Sequence, residues 1–284
     1  MNDDSSLKGM LGIVWRDKWL VIAITTVITL GAVIAALTAP KMYSAKVVVS
    51  LATNDQGGSM GGIGALASQF GGIASLAGLG GGASQRAETI AVLESSVLTK
   101  RYIDEHELLP ILFADRWDAT RKTWIADGSA PTPTLWRANE FFKAQVRTVS
   151  DNVKSGLVEL TITWSDPVLA AQWANDLIKL TNDYLRAKAI DKSERHIEYL
   201  KQQAAATDVA PLRTAIYAVL ESEIKNSMMA RGNDEYALKV IDPASVPEIR
   251  SSPKRTLWVS VGVVAGLFLA IAFVFLRRAW SEAS

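Results

Sequence analysis

Residues 157–206 read LVELTITWSDPVLAAQWANDLIKLTNDYLRAKAIDKSERHIEYLKQQAAA, and the change of period within them decides the fold. Val158, Leu160, Ile162 and Trp164 alternate with Glu159, Thr161 and Thr163, the pattern of a strand with one face in a core and one in solvent. At Asp166-Pro167 the period changes. Asp166 suits an N-cap because its carboxylate can accept from first-turn amides, and Pro167 suits the first helical position because its missing N–H costs nothing there. Ala170, Ala174, Leu177, Ile178, Leu185, Ile197 and Leu200 then recur at helical spacing to about Ala206, a helix of roughly 60 Å. It outruns any core that a domain of this size offers. Its far half is thin in apolar residues, so it is expected to project from the body and to meet neighbouring subunits through Arg186, Lys188, Asp191, Glu194, Arg195 and Glu198.

Working outward, residues 146–154 form a hairpin with 157–164 around Ser155-Gly156. Thr207, Asp208 and Pro211 turn the chain into a returning helix over 212–231, closed by Gly232 at a C-cap position, and 237–241 is a last strand. On the other side, 43–51 (YSAKVVVSL) is a β-branched strand. Residues 84–106 read as one helix with Ile90, Leu93, Val97 and Leu98 on one face. An aromatic segment over 108–124, breakers over 127–133 and a short helix over 135–145 complete the middle. The order strand, helix, strand, strand, helix pair, strand is the split βαβ arrangement.

The tract 57–82 sets glycines around Ile63, Leu66, Phe70, Ile73, Leu76 and Leu79. The spacing is helical, but each glycine costs about 1 kcal/mol against alanine in a helix, so any helix there must borrow stability from packing, and a flexible linker is the alternative reading. Leu66, Phe70, Ile73 and Leu76 are the candidates for an apolar lumen lining or cap. Gly62-x-Gly64-x-x-Ala67 resembles a dinucleotide loop only superficially, since no tight strand-to-helix turn goes with it.

Two uncharged apolar runs, 19–39 and 257–276, are each long enough to cross roughly 30 Å of hydrocarbon. Lys8, Arg16 and Lys18 precede the first, and Arg277 and Arg278 follow the second, as expected of cytoplasmic ends. Lys41, Arg250, Lys254 and Arg255 on the opposite flanks weaken the contrast, but long loops are translocated regardless of charge. The fold class expected is therefore an α+β membrane protein: tails 1–18 and 277–284 in the cytoplasm, an α/β base over 40–165, a helical hairpin over 166–236, and a last strand and proline-rich connector over 237–256. A cleaved signal peptide fits less well, because the first run is too long and Pro40 would follow the only plausible cut after Thr38-Ala39.

The chain has 284 residues, a formal charge of +1, two histidines and no cysteine. Nothing resembles a basic phosphate-binding patch, so nucleic acid is not an expected partner. Without cysteine there is neither a thiolate nucleophile nor a Cys-based metal site. His106 and His196 have no spaced partner, and Asp104-Glu105 and Glu221 with Glu223 sit on solvated helix faces. No nucleophile elbow or P-loop can be assembled. No catalytic, cofactor or metal site is expected, which favours binding or scaffolding over catalysis. In the second span, Gly262, Gly266 and Ala270 form a small-xxx-small series that lets another helix approach, with Gly31 and Ala35 as a possible counterpart in the first. Trp15, Trp19, Trp258 and Trp280 stand where interfacial aromatics anchor spans.

SQFGGIASLAGL from Ser68, ETIAVLESSVL from Glu88, LLPILFADRWD from Leu108, SDPVLAAQWANDLI from Ser165 and IDPASVPEIRSSPKR from Ile241, in this order between two spans, resemble the Wzz-type polysaccharide co-polymerases. The resemblance covers nearly the whole chain. It implies a two-pass bacterial inner-membrane protein with a periplasmic base, assembled as a homo-oligomeric ring, an octamer on family precedent. Such a ring regulates chain length in O-antigen, capsule or exopolysaccharide synthesis by engaging a Wzy-type polymerase, the growing polysaccharide or its lipid-linked precursor. Gly262, Gly266 and Ala270, with Pro247, Pro253 and Lys254 fixing how the second span enters the bilayer, are the expected polymerase contact. Two features depart from the family: Pro243, Pro247 and Pro253 all precede the second span rather than lying within it, and the hairpin is short. No kinase domain follows Arg278, which argues against the fused tyrosine-kinase branch and leaves a separate kinase open as a partner. The competing reading is a periplasmic adaptor of a polysaccharide exporter.

Overall fold

A computed structural model of the chain describes residues 18–52, 81–125 and 131–283. In chain order the elements are α1 (Lys18–Thr38), β1 (Tyr43–Leu51), α2 (Gly81–Leu93), α3 (Ser96–Glu105), α4 (Leu109–Leu112), β2 (Trp117–Asp118), β3 (Thr123–Trp124), α5 (Leu135–Phe141), β4 (Arg147–Asn152), β5 (Leu157–Trp164), α6 (Pro167–Ala206), α7 (Ala210–Arg231), β6 (Leu238–Asp242) and α8 (Arg255–Ala283). They fall into two compact units, one holding α1 and α8, the other spanning residues 44–247.

In the larger unit a four-stranded sheet runs β4-β5-β1-β6, with β4 antiparallel to β5 and β1 antiparallel to β6. Numbered as strands of that sheet alone, this is the order of a split βαβ fold, as the element sequence predicts. Ala45, Val47 and Val49 of β1 and Val158, Leu160 and Ile162 of β5 are buried at every second position. They meet Ala170, Trp173, Ala174, Leu177 and Ile178 of α6 and Tyr102 and Ile103 of α3 in one core. Gly156 turns the β4-β5 hairpin at φ +74°, a conformation that side chains rarely adopt.

The 40-residue helix α6 is capped as its sequence predicts: the Asp166 carboxylate accepts from the amides of Val168 (2.8 Å) and Leu169 (3.3 Å). Its returning partner α7 starts two residues earlier than expected, and Gly232 ends it at φ −86°, without a left-handed cap.

The single helix expected over 84–106 is two. The chain breaks at Glu94-Ser95, and the Ser95 hydroxyl caps α3 by accepting from the Leu98 amide at 3.1 Å. The break re-aims the residues of α3: Val97, expected on the apolar face, is 63% exposed, whereas Leu93 and Leu98 are buried. Leu66, Phe70, Ile73 and Leu76, the expected lumen residues, lie outside the described residues.

In the smaller unit, α1 and α8 contain windows long and apolar enough to cross a membrane, Trp19–Thr38 and Arg255–Val274. Their entry strands are tied together: Met42 N–H donates to Ser252 O (3.1 Å) and Ser251 N–H donates to Met42 O (2.9 Å).

Candidate functional site

The small-residue series of the second span faces the first span of the same chain. A Cβ on Gly262 would lie 2.6 Å from Ala32 Cβ, and one on Gly266 would lie 3.2 Å from Thr25 Cα and 3.3 Å from Ile28 Cβ. Ala270 is fully buried beside Val21 and Val274. Gly262, Gly266 and Ala270 thus form a packing face that the first span of the same chain occupies. The expected counterpart within that span is corrected. Ala32 is the partner, while Gly31 has open space around it and Ala35 is exposed. Helix rotation about its axis decides this, and a residue series alone does not set it. Pro247 is half-buried, Pro253 is buried, and Lys254 is exposed with its carbonyl accepting from the Leu257 and Trp258 amides of the first turn of α8.

The charged residues named for the far half of α6 all have partners in their own subunit. Arg186 bridges Asp183 (2.7 Å) and Asp234 (2.6 Å), Lys188 reaches Glu88 (2.9 Å), and Arg195 pairs with Asp191 at 2.5 Å. Glu194 pairs with Arg231 of α7, and Glu198 accepts from Gln202 at 3.1 Å. The hydrogen bond and charge of Glu88 raise the Lys188 pKa. These are exposed pairs, each worth little in water. The far half of α6 leans first on α7, where Ser193 and Ala204 of α6 and Leu220, Ser227 and Ala230 of α7 are buried. Among the exposed residues of α7 three large apolar ones stay uncovered in register: Tyr217, Ile224 and Met228 are 54%, 41% and 67% exposed. Their spacing of seven and four puts them on one stripe. Apolar residues on a face beyond the one that packs on α6 are the signal that could have revealed it.

Four polar devices, built on Arg147, Asn182, Asn175 and Tyr102, hold the base together, and sequence reading singled out none. Arg147, at the start of β4, donates to Leu93 O (2.8 Å), Glu94 O (2.7 Å) and Thr99 Oγ1 (2.8 Å), so its fork satisfies the carbonyls left open where α2 ends. Burial lowers its pKa to about 10, with Glu94 opposing. Asn182 of α6 accepts from the Ala237 and Leu238 amides and donates to Leu238 O, all within 2.9 Å. Two turns earlier, Asn175 makes the reciprocal pair with Ala244 N and O, each at 2.9 Å. Tyr102 donates to Asp176 Oδ2 at 3.3 Å, and burial, then the Asp176 charge, push its pKa up.

His106 packs on the Tyr102 ring at 4.5 Å, and His196 Nδ1 lies 3.3 Å from Glu223 Oε1. Among the described residues no three of His, Asp and Glu are grouped to hold a metal ion.

Two family models match the chain. Residues 3–106 match the one described as Wzz, chain length determinant protein, and residues 206–279 match GNVR, described as "G-rich domain on putative tyrosine kinase". Among solved structures, a full-length bacterial polysaccharide co-polymerase is similar at 14% identity over 96% of this chain and 97% of its own, with a TM-score of 0.40. A fragment of WzzB, the polysaccharide co-polymerase of Salmonella Typhimurium, is similar at 7% identity over 75% of this chain and 100% of its own, with a TM-score of 0.28. None of the curated proteins matches.

Proposed function

We infer, from the premise that this chain belongs to the chain length determinant (Wzz) family of polysaccharide co-polymerases, that it regulates polymer length as a non-enzymatic, membrane-anchored assembly. Residues 40–256 face the periplasm, the tails face the cytoplasm, and several subunits close head-to-tail into a ring, an octamer on family precedent. The observation that carries this reading is the uncovered stripe of Tyr217, Ile224 and Met228 on a hairpin where Arg186, Lys188, Asp191, Glu194 and Arg195 are already paired within the subunit. A stripe of that kind is covered most simply by the next copy. With no catalytic group assigned, the assembly acts on a Wzy-type polymerase or on the growing chain by binding. The Gly262-Gly266 face is taken by α1, so a polymerase helix meets the span pair elsewhere, for example at the exposed Gly31 and Ala35.

A gel of surface polysaccharide with and without the gene tests the function. Loss of a preferred length with synthesis retained is expected; unchanged length with export abolished would favour an exporter adaptor instead. Light scattering of the detergent-solubilised chain tests the assembly. A uniform large oligomer is expected, shifted towards smaller species by Tyr217→Glu with Met228→Glu, and a monodisperse wild-type monomer would exclude the ring. Single cysteines at Ser155 and Lys122 should react with an impermeant thiol reagent once the outer membrane is permeabilised; protection of both would reverse the topology.

A further inference from the structure

A cleft opens where α2, α6, α7 and the segment before β6 converge. One lobe, about 240 Å³, is lined by Lys192 and Ser193 of α6, Glu223 and Asn226 of α7, and Asn233 and Tyr236 after α7. A second lobe, about 260 Å³, is lined by Gln85, Glu88 and Thr89 of α2 and by Leu185 and Lys188 of α6. Ala189, Lys192 and Tyr236 belong to both, so the lobes meet at Tyr236. Joined, they fall within the roughly 300–1,000 Å³ of ordinary small-ligand sites.

The lining selects the kind of ligand. Tyr236 is half-buried, and its pKa is raised by burial and then by the charge of Glu88, so it presents a neutral phenol with an apolar ring. Amides and hydroxyls surround it, able to donate and accept at once. Glu223 is oriented by Ser193 Oγ (3.2 Å) and by His196 (3.3 Å), and Glu88 by Lys188 (2.9 Å), so the two carboxylates are held rather than loose. Lys192 has no ion-pair partner among the described residues. An apolar ligand would cover the Lys192 ammonium without offering it an acceptor. Among the described lining residues no glycine-rich loop is present to cradle a phosphate. A ring with C–H faces and many hydroxyls satisfies both the tyrosine ring and its polar surround.

We propose that this cleft binds a short segment of a polyhydroxylated saccharide, one ring stacked on Tyr236 and its hydroxyls bonded to Glu223, Asn226 and Lys192. The inference rests on the chain-length reading and deepens it, because it gives each subunit a hold on the growing chain. The hold sits on the hairpin that carries the exposed α7 stripe, so assembly would set several such clefts in one array.

The test is saturation-transfer NMR on the full chain in detergent, with oligosaccharide repeat units released from the producing strain's own surface polysaccharide as the probe. Transfer to sugar ring C–H protons is expected. Tyr236→Ala should weaken binding by about tenfold or more, and Tyr236→Phe by only about threefold because the stacking ring remains. Lys192 is exposed on α6, so Lys192→Ala reports on the cleft without risk to the fold; it should weaken binding by about threefold or more. No transfer with the wild-type chain, or unchanged binding in the Tyr236→Ala, Lys192→Ala double variant, would overturn the site. If the gene deletion alters polymer length while no sugar binds, the site fails and the chain-length reading stands. If sugar binds through Tyr236 while the deletion leaves length unchanged, the reading fails and the site stands.

Discussion

Gly262 lies against Ala32 so closely that a Cβ on the glycine would sit 2.6 Å from the alanine's own. Helices packed at this distance gain van der Waals contact that lipid tails cannot replace. Gly262→Ala should therefore destabilise the span pair by about 1–3 kcal/mol, and Ala32→Gly on that background should restore much of it. Thermal unfolding of the four members of this cycle in detergent measures the coupling. Additive effects would mean that the two residues do not touch.

Arg147 should be the most costly single charge to remove from the base. Arg147→Met leaves the Leu93 and Glu94 carbonyls and the Thr99 hydroxyl without their donor, at about 2–4 kcal/mol. Arg147→Lys should recover less than half of that, because a single ammonium cannot reproduce the planar fork. Urea denaturation of the three proteins compares them.

Asn182→Ala removes three hydrogen bonds that fasten α6 to the start of β6, at a cost of about 2–4 kcal/mol. The loss should be local before it is global. Hydrogen exchange of the Ala237 and Leu238 amides should accelerate more than that of the β4-β5 amides, and uniform acceleration would contradict this.

Tyr102 stays neutral in the folded chain because its folded pKa is raised above its unfolded value near 10. Its contribution to stability is complete below pH 10 and is lost as pH rises further, since only the unfolded state can then release the proton. Tyr102 should add phenolate absorbance only on unfolding. Tyr102→Phe should leave the folded-state alkaline titration unchanged and flatten the fall in melting temperature above pH 10.

What was legible in the sequence was local. The alternation at 158–164, the Asp166-Pro167 cap and the period of α6 each declare themselves within a few residues, and each stands as read. The break at Ser95 does not, because the group that stabilises the open carbonyls of α2 is Arg147, more than fifty residues on. The series Gly262, Gly266, Ala270 announces a packing face, yet which helix fills it depends on a rotation that one sequence cannot express. The cleft at Tyr236 takes its lining from four segments, so no single stretch carries its signature.

β1, the first of the described strands in chain order, is paired along one edge with β6, through Val48 with Asp242 and Leu51 with Leu238. On the ribosome that edge stays unsatisfied until the whole hairpin has been synthesised. Closing it demands a long-range search of the kind that slows folding. Until then β1 presents bare amides and carbonyls to any other extended chain nearby. Newly made subunits thus pass through a stage in which the sheet can pair wrongly. By anchoring β6 and the residues after it, Asn175 and Asn182 help to end that stage.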